Sequence, residues 1–328
     1  MFKYKFLLLG QRFIERGAWI LAPFSWVWGI VAECKNWLYD HRLLPMAKVN
    51  RPVVSVGNLV AGGTGKTPLV HLLASQFSHR NVAILSRGYG TFADEAMLLQ
   101  RRLPKVKVYV GKNRVKLARQ AVRDEAQLIL LDDGFQYRKL HRDLDLVLLS
   151  GADPFGKGHF LPWGFLRDSP RRLKRADALF VSGVAGVPLP PHIGLKVQAG
   201  KLLTFQEHPV LGFEGQKAAL FSGIARPAAF KKTIDSLGIK VVDEWILADH
   251  EPAPIGALCA FAKNSKSLGA KALICTEKDF IKLSPDLRCS LPLYFLEISF
   301  QVAEGASEWE KLIAKIDQKI DNITAYDR

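Results

Sequence analysis

From Pro52 onward, short runs of apolar residues alternate with segments in which apolar residues recur every three or four positions. The first pattern predicts buried β-strands, and the second predicts helices that pack on a sheet. The predicted strands, in chain order, are residues 53–56, 82–86, 106–110, 128–131, 144–149, 178–182, 219–222, 241–242 and 272–275. Strands that alternate with helices are typical of an α/β fold with a parallel sheet.

The amino-terminal pattern differs from the rest of the chain. Residues 19–32 are apolar and rich in Trp and Phe, and Arg16 and Glu33-Cys34-Lys35 bracket them. This run is shorter than the roughly 20 apolar residues needed to cross a bilayer, and no A-x-A cleavage site follows it. It is consistent with an interfacial helix or with a helix packed on the protein's own core. In the first case the cations near anionic head groups are Lys3, Lys5, Arg12, Arg16, Lys35 and Arg42.

Charge adds one constraint to this picture, because the formal net charge is +15 over 328 residues. Such a balance favours an anionic partner: nucleic acid, an acidic membrane surface or a phosphorylated substrate. The aromatic residues concentrate in the apolar amino-terminal stretch rather than between basic residues, and no nucleic-acid recognition module is recognisable. We therefore expect no nucleic-acid partner, and the sequence implies no protein partner.

The four cysteines, Cys34, Cys259, Cys275 and Cys289, are scattered without paired spacing. This arrangement suggests neither a zinc site nor a disulfide framework. We expect all four to be free thiols that pack as small buried hydrophobic side chains.

A glycine-rich turn carries the strongest chemical signal in the sequence. Gly62-Gly63-Thr64-Gly65-Lys66-Thr67 lies between a predicted strand and a predicted helix. In that setting backbone N–H groups surround phosphate oxygens, Lys66 reaches the β- and γ-phosphates, and Thr67 offers a hydroxyl to Mg²⁺. Val60 stands where the strict phosphate-loop pattern has its first glycine. We predict ATP binding by Val60, Ala61, Gly62, Gly63, Thr64, Gly65, Lys66 and Thr67.

Asp132-Asp133 directly follows four apolar residues of a predicted strand. P-loop enzymes hold Mg²⁺ with an acidic residue at the tip of a neighbouring strand, although a single aspartate before a glycine is also a common turn residue. Two aspartates in tandem favour the metal site. We predict that Thr67, Asp132 and Asp133 bind Mg²⁺.

Three further segments contain polar residues in places that allow two interpretations. Asp94-Glu95 is consistent with a catalytic base or with a solvated pair, and Asp249-His250 with a catalytic pair or a turn. Thr276-Glu277-Lys278-Asp279 directly follows a predicted strand and is consistent with a site segment or with a helix start of the capping-box type. The long loop Asp153–Arg175 is rich in Gly, Pro and Arg, and loops of this length inside a domain tend to be functional.

Taken in order, these segments resemble the tetraacyldisaccharide 4'-kinase family, the lipid A 4'-kinases. The matching stretches cover nearly the whole chain: residues 55–59, 62–68, 86–90, 94–95, 132–136, 161–167, 222–227, 249–250 and 276–279. The resemblance implies transfer of the γ-phosphoryl group of ATP to the 4'-hydroxyl of an acylated glucosamine disaccharide 1-phosphate, in lipid A biosynthesis. It also implies a peripheral or monotopic location on the cytoplasmic face of an inner membrane.

The resemblance also implies roles for individual residues. Lys66 serves the nucleotide, Asp94 is the base, and His250 assists it from the second lobe, in a cleft between lobes. Arg87, Gln136 and Arg167 are the implied substrate contacts. The domain organisation we predict is an amino-terminal membrane-interface helix (1–45), a P-loop kinase core (46–205) and a smaller α/β lobe (206–328).

The sequence departs from the family pattern at several positions. Ala96 replaces a proline after the Asp-Glu pair, Trp163 and Phe165 replace smaller residues, and Asp168 replaces a glutamate. These changes bear on the fit of the substrate more than on the chemistry. A membrane-tethered regulatory P-loop ATPase without a small-molecule acceptor is the alternative function.

Overall fold

The computed structural model describes residues 19–88, 94–284 and 286–326. The basic residues Lys3, Lys5, Arg12 and Arg16, and the motif residues Tyr89 and Gly90, lie outside the described residues.

Helices and strands alternate along most of the described chain, as the pattern predicts. The helices are α1 (Ala22–Asp40), α2 (Lys66–Gln76), α3 (Asp94–Arg102), α4 (Arg114–Arg123), α5 (Pro227–Ser236), α6 (Ile255–Ser267), α7 (Glu277–Phe280) and α8 (Ala306–Tyr326). The strands are β1 (Val53–Gly57), β2 (Val82–Ser86), β3 (Lys107–Val110), β4 (Leu128–Asp132), β5 (Leu144–Ser150), β6 (Ala178–Ser182), β7 (Ile193–Thr204), β8 (Lys217–Ser222), β9 (Lys240–Ile246), β10 (Ala272–Thr276) and β11 (Leu293–Glu304). Short 3₁₀ turns lie at Trp19–Leu21, Gly156–Gly158 and Pro170–Arg175.

The chain forms two compact units. Unit 1 takes the described residues of 1–89, 99–196 and 300–328, and unit 2 takes those of 90–98 and 197–299. The strands β7 and β11 and the helix α3 each contribute residues to both units. The three segments predicted from the sequence, 1–45, 46–205 and 206–328, stay a prediction about domains.

Unit 1 contains a parallel sheet in which β1 is central. The strand order β3-β2-β4-β1-β5-β6-β7 places β4 and β5 on either side of β1, with Val56 opposite Asp132 of β4 and Leu146 of β5. Every residue of β1, β2, β4 and β5 is buried, as expected for strands covered on both faces. Because parallel strands end at the same edge, the residues that follow β1 and β4 are neighbours.

Helix α8 covers part of the unit 1 core. Leu312, Ile316 and Ile320 recur every four positions, so they share one face of the helix, and all three are buried. They pack in the cluster that also holds Leu146, Phe180 and Phe300. Helix α8 and strands β7 and β11 were not predicted from the sequence, so the C-terminal part of the unit 1 core is a structural finding.

Unit 2 is a smaller α/β arrangement of its own. Its strands run in the order β7-β11-β10-β8-β9, and β8 pairs in parallel with both β9 and β10. Phe280 of α7 stacks on Phe295 of β11 with ring centroids 4.1 Å apart. Helix α6 buries Leu258 and Ala262 in the same cluster. The predicted α/β fold with a second, smaller α/β part is therefore confirmed.

The expectation that all four cysteines are free and buried is wrong. Cys259 of α6 and Cys289 form a disulfide with Cα atoms 5.0 Å apart. Cys34 is free but exposed, and only Cys275 is both free and buried. The pairing closes a loop over a sequence separation of 30 residues, and the spacing of the cysteines gave no signal because their partners lie on different elements.

Helix α1 packs on unit 1 through its small and polar residues. Ser25 and Gly29 are buried against Phe160, where the Ser25 hydroxyl donates to the Phe160 carbonyl at 2.7 Å. Asn36 donates to the Asp168 carboxylate at 2.9 Å. The opposite side of α1 and the 3₁₀ turn before it leave large apolar side chains exposed: Trp19, Ile20, Phe24, Trp26, Val27, Trp28, Ile30, Val31 and Trp37.

This exposure bears on both interpretations of the apolar run. One face of the helix packs on the protein, whereas Trp19 is 77% exposed and Trp26 67%, so these two side chains do not pack on the protein's own core. Such a surface typically marks a contact with a membrane or another protein. In the described part of the chain, no helix is both long and apolar enough to cross a membrane.

Candidate active site

The turn between β1 and α2 has the backbone of a phosphate loop. Gly62 and Gly65 adopt positive φ values of 111° and 94°, which side chains with a Cβ rarely adopt. The Thr64 hydroxyl is buried and accepts a hydrogen bond from the Asn58 side chain at 2.9 Å. Helix α2 begins at Lys66, so its unpaired N–H groups and the positive end of its dipole face the turn.

The departure at Val60 has a structural reason. Val60 is buried and forms an antiparallel bridge with Leu166, while the Ala61 N–H donates to the Phe165 carbonyl at 2.7 Å. The start of the phosphate loop is therefore tied to the loop Asp153–Arg175. The Ala61 N–H is thus already hydrogen-bonded, and ATP binding by Val60 and Ala61 stays a prediction.

Asp133 lies at the tip of β4, beside the phosphate loop. Its backbone is in the left-handed region with φ of 51°, and its carboxylate contacts two cations. The Lys66 ammonium is 3.5 Å away, and the Arg167 guanidinium donates to both carboxylate oxygens at 2.9 and 3.1 Å. Burial alone would raise the pKa of Asp133, but the charges of Lys66 and Arg167 outweigh it and hold the pKa well below its usual range.

The preceding residue, Asp132, is the last residue of β4 and is also buried. Its backbone carbonyl accepts from the Arg114 guanidinium at 3.2 Å. The two aspartates thus occupy the predicted place, at the strand end next to the turn that carries Thr67.

Backbone hydrogen bonds position Arg167 for its contact with Asp133. The Arg167 N–H donates to the Leu59 carbonyl at 2.8 Å, in the segment that joins β1 to the phosphate loop. Gln136 donates to the Asn58 carbonyl at 2.8 Å, and its side-chain oxygen is buried with no hydrogen-bond partner among the described residues. In the loop Asp153–Arg175, which also carries Arg167, Trp163 stacks on His159 with ring centroids 3.7 Å apart.

A basic cavity adjoins the ion pair of Asp133 and Arg167. Its volume is about 230 Å³, and it contains one carboxylate, that of Asp133, against five cations. The lining residues are Lys35, Arg87, Lys112, Arg114, Asp133, Gln136, Tyr137 and Arg167. All three predicted substrate residues, Arg87, Gln136 and Arg167, lie here together. An excess of cations in a concave site favours a phosphate or carboxylate group.

A second basic surface, the α4 groove, continues from this cavity. It has a volume of about 590 Å³, and it is lined by Lys112, Asn113, Val115, Lys116, Arg119, Arg123, Tyr137 and Lys139. None of its five exposed cations forms an ion pair with an acidic side chain of the described chain.

The remaining predicted residues meet in unit 2. Asp94, 2% exposed, is 3.1 Å from the Nδ1 atom of His250, so the predicted contact is confirmed. Two lysines join this pair, and neither contact was predicted from the sequence. Lys282 lies 3.4 Å from the Asp94 carboxylate, and Lys278 lies 3.0 Å from the Nε2 atom of His250. Burial would raise the pKa of Asp94, but the His250 hydrogen bond and the charges of Lys282 and Lys278 lower it below its ordinary value.

The capping interpretation of the segment after β10 is confirmed as well. The Thr276 hydroxyl oxygen accepts from the Asp279 N–H at 3.2 Å at the start of α7. The cap and the lysine contacts coexist, because the cap uses Thr276 and leaves the lysine side chains free to reach Asp94 and His250.

The donor set beside the phosphate loop fits Mg²⁺. Among residues 19–88, 94–284 and 286–326, no three His, Cys, Asp or Glu side chains are placed to hold a metal ion by themselves. Mg²⁺ is usually bound by one or two carboxylates together with substrate phosphates rather than by a closed protein cage. Asp132, Asp133 and the hydroxyl of Thr67 correspond to such a partial set.

The parallel sheet, the phosphate loop and the aspartates at the neighbouring strand end define a P-loop nucleotide-binding protein. A family model described as LpxK, tetraacyldisaccharide-1-P 4'-kinase, matches residues 17–320. The chain therefore belongs to the tetraacyldisaccharide-1-P 4'-kinase family, and the resemblance seen in the sequence is confirmed.

Individual relatives cover most of the chain. A tetraacyldisaccharide 4'-kinase of Anaeromyxobacter dehalogenans (strain 2CP-C) is 35% identical over 89% of this chain and 88% of its own length. A protein of the same name from Chlamydia abortus is 32% identical over 89% of this chain and 91% of its own. The crystal structure of "apo" form LpxK from Aquifex aeolicus in complex with ATP is 30% identical, with a TM-score of 0.71, covering 90% of this chain and 98% of that one.

Proposed function

We propose that this protein transfers the γ-phosphoryl group of ATP to the 4'-hydroxyl of a tetraacyldisaccharide 1-phosphate. The observation that carries the proposal is the phosphate loop with Lys66 held at Asp133, in a chain of this kinase family. The transfer forms a bond between the 4'-oxygen and the γ-phosphorus and breaks the bond to the β–γ bridging oxygen, so that ADP leaves.

In unit 1, the N–H groups of the turn from Gly62 to Thr67 and the Lys66 ammonium bind the phosphates. Thr67, Asp132 and Asp133 would hold Mg²⁺, which neutralises phosphate charge when it is bound. Lys66 must then turn from the Asp133 carboxylate toward the nucleotide. The left-handed backbone of Asp133 and its bidentate contact with Arg167 keep the carboxylate in place meanwhile.

The basic cavity is the proposed site for the anionic end of the acceptor. A sugar 1-phosphate carries up to two negative charges, and five cations line a space of about 230 Å³. Arg87 and Arg167 offer planar guanidinium groups that suit phosphate oxygens, and Gln136 brings a side-chain amide. The buried oxygen of Gln136 gives this residue a further polar group for a sugar hydroxyl.

Asp94 is the proposed base that removes the proton of the acceptor hydroxyl. Its pKa is lowered, so the carboxylate is ionised at neutral pH, and His250 contacts the same oxygen atom, Oδ2, as Lys282 does. Such a base contributes roughly 10²–10⁴-fold to the rate of a proton-coupled step.

The exposed apolar side of α1 is the proposed contact with the membrane that carries the lipid substrate. Trp and Phe side chains lie favourably at the boundary between head groups and acyl chains. Contact through one helix face corresponds to a peripheral or monotopic protein, which we place on the cytoplasmic face of the inner membrane, where ATP is available.

Mass spectrometry of the lipid tests the proposed reaction. Purified protein, Mg-ATP and tetraacyldisaccharide 1-phosphate in detergent micelles should give a product with one added phosphate, and Lys66→Ala should abolish it. Lys263→Ala, a change in an exposed lysine of α6, is the matched control and should retain the product. ATP hydrolysis without a phosphorylated lipid would contradict the proposal and favour a regulatory ATPase.

A further inference from the structure

The Asp94–His250 pair is surrounded by charged groups from three segments of unit 2. The first turn of α3 supplies Asp94 and Glu95, and the loop before α6 supplies Asp249 and His250. The segment from Thr276 to Lys282 supplies the charges of Lys278, Asp279 and Lys282.

Lys282 lies between two carboxylates in an almost closed environment. Its ammonium is 3.4 Å from Asp94 and 3.4 Å from Asp279, and its side chain is 2% exposed. If Lys282 lost its charge, the carboxylates of Asp94 and Asp279 would remain together in a poorly solvated space. One of the two would then take up a proton, since like charges in low dielectric do not both ionise.

Lys278 contacts the His250 ring on the side away from Asp94. Its ammonium lies 3.0 Å from Nε2, 3.3 Å from Glu95 and 3.7 Å from Asp249. An ammonium group can only donate hydrogen bonds, so Nε2 must present its lone pair to Lys278. The ring proton then resides on Nδ1, which donates to Asp94 across 3.1 Å.

The local sequence explains why the two lysines act together. Thr276 caps α7, and helical hydrogen bonds continue past its end, with the Ile281 N–H donating to the Glu277 carbonyl at 3.2 Å. Residues four positions apart lie on one side of such a turn. Lys278 and Lys282 are four apart, and both side chains reach the Asp94–His250 pair.

We infer that Lys282 and Lys278 are positioning residues of the transfer reaction: Lys282 keeps Asp94 ionised, and Lys278 holds the His250 ring with its Nδ1–H directed at Asp94. This inference rests on the proposed role of Asp94 as the base. It adds to that role a reason why a carboxylate that is nearly inaccessible to water remains a carboxylate.

Kinetics as a function of pH test the part played by Lys282. In Lys282→Met, kcat at pH 7 should fall by about 10–100-fold, and the acid limb of the kcat profile should move to higher pH, so that part of the loss is recovered in alkaline buffer. The KM for ATP should stay within about twofold, because the nucleotide site lies in unit 1. Lys282→Arg, which keeps the charge, should retain more activity than Lys282→Met.

Lys271→Met is the matched control, because Lys271 is an exposed lysine of unit 2 with no side-chain ion pair among the described residues. It should leave kcat and the pH profile unchanged. A Lys282→Met enzyme whose acid limb coincides with that of the parent protein would overturn the role of Lys282, whatever its absolute rate.

Nuclear magnetic resonance decides the part played by Lys278 without any turnover. Long-range ¹H–¹⁵N spectra of protein labelled at histidine nitrogens should show the Nδ1–H tautomer for His250 at pH 7, with the signal assigned by its loss in His250→Gln. Lys278→Met should shift the ring toward the Nε2–H form or a mixture, and Lys278→Arg should preserve Nδ1–H. An Nε2–H tautomer in the parent protein would refute the inference.

These two readouts separate the inference from the proposed function. If the parent protein makes no phosphorylated lipid, the proposed function fails, while the tautomer spectra still decide whether Lys278 sets the state of His250. Should Lys282→Met fail to fold, as judged by circular dichroism, the partly exposed Lys278 and Lys282→Arg keep both halves open to contradiction.

Discussion

Asp133 shows how a single residue is fixed by its surroundings. Its carboxylate lies beside two cations, and Arg167 holds both of its oxygens while its own backbone is bonded to Leu59. A bidentate pair of this kind is more directional than a lysine contact, so the guanidinium sets where the carboxylate points.

Removing Arg167 should therefore cost both stability and activity. In Arg167→Met the Asp133 carboxylate keeps Lys66 as its one ion-pair partner among the described residues, and we expect a loss of about 1–3 kcal/mol in the free energy of unfolding. Lipid phosphorylation should fall by at least about 10-fold. Urea unfolding and the mass-spectrometric assay measure the two effects. Arg171→Met, a change in an exposed arginine of the same loop, should do neither; equal losses in both variants would contradict the role of the pair.

The lowered pKa of Asp133 predicts how the stability of the protein changes in acid. A carboxyl whose pKa is depressed in the folded state stabilises that state above its unfolded pKa, near 4, and loses this contribution as pH falls through the folded value. The parent protein should thus exceed Asp133→Asn in free energy of unfolding by the largest amount near pH 7, and this difference should shrink below about pH 4. Urea unfolding at several pH values measures it, and a difference that is constant from pH 7 to pH 3 would argue against the depressed pKa.

At this scale the sequence predicted residues better than it predicted their partners. The phosphate loop, the tandem aspartates and the Asp94–His250 contact follow from local motifs and from the family resemblance. Lys282 was missed because its partner Asp94 is more than 180 residues away along the chain. The contact of Lys278 with His250 was missed because the capping pattern explained its segment by itself. Only the folded chain shows that one short turn serves both purposes.

At the scale of elements, the end of strand β1 lies very close to the turn after β4. A Cβ atom added at Gly57 would lie 2.5 Å from the Cβ of Phe135, in the turn that follows Asp132 and Asp133. The end of β1 and this turn can approach so closely only because residue 57 has no side chain.

Gly57→Ala should consequently destabilise the protein by roughly 1–3 kcal/mol through overpacking. Gly256→Ala in α6 provides the matched comparison, because the added methyl group meets no atom within 4 Å and alanine favours a helix. Thermal unfolding should show a lower Tm for the first variant and an equal or higher Tm for the second. An unchanged Tm in Gly57→Ala would mean that the turn can move away.

Helix α1 reverses the usual arrangement of a surface helix, since its small and polar residues face the protein. The double change Phe24→Glu with Trp26→Glu alters only exposed side chains, so we expect at least about 10-fold weaker binding to phospholipid vesicles with little change in Tm. Co-sedimentation with vesicles measures it. Leu211→Glu, at an 87% exposed leucine of unit 2, is the control, and equal weakening by this variant would exclude a specific role for α1.

Strand β7 was not predicted from the sequence for a physical reason. β7 carries lysines and two glycines, and the middle of the strand is exposed, so it lacks the continuous apolar run that marks β1 or β4. A strand that is buried on both faces shows a continuous apolar run in the sequence, whereas a strand that is covered for only part of its length does not.

For the whole molecule, each of the two units is built from separate segments of the chain, which the predicted division into consecutive segments does not describe. Unit 1 is completed by residues 300–326, and the short stretch 94–98 that begins with Asp94 belongs with unit 2. A boundary drawn along the chain follows changes of composition, whereas compactness depends on which distant segments pack together. The α/β class was nevertheless predictable, because it depends only on the alternation of strands and helices.

The α4 groove has a final consequence, which concerns the folded state itself. Five cations without acidic partners repel one another, in a chain whose net charge is already +15. Dissolved ions screen such repulsion over about 10 Å at 0.1 M, so Tm should rise with ionic strength. Lys116→Gln with Arg119→Gln should raise Tm in dilute buffer and flatten this rise. Lys231→Gln with Lys315→Gln, which removes two paired cations, should do neither. If that is what calorimetry finds, the folded protein carries a permanent electrostatic strain that any anionic surface would relieve.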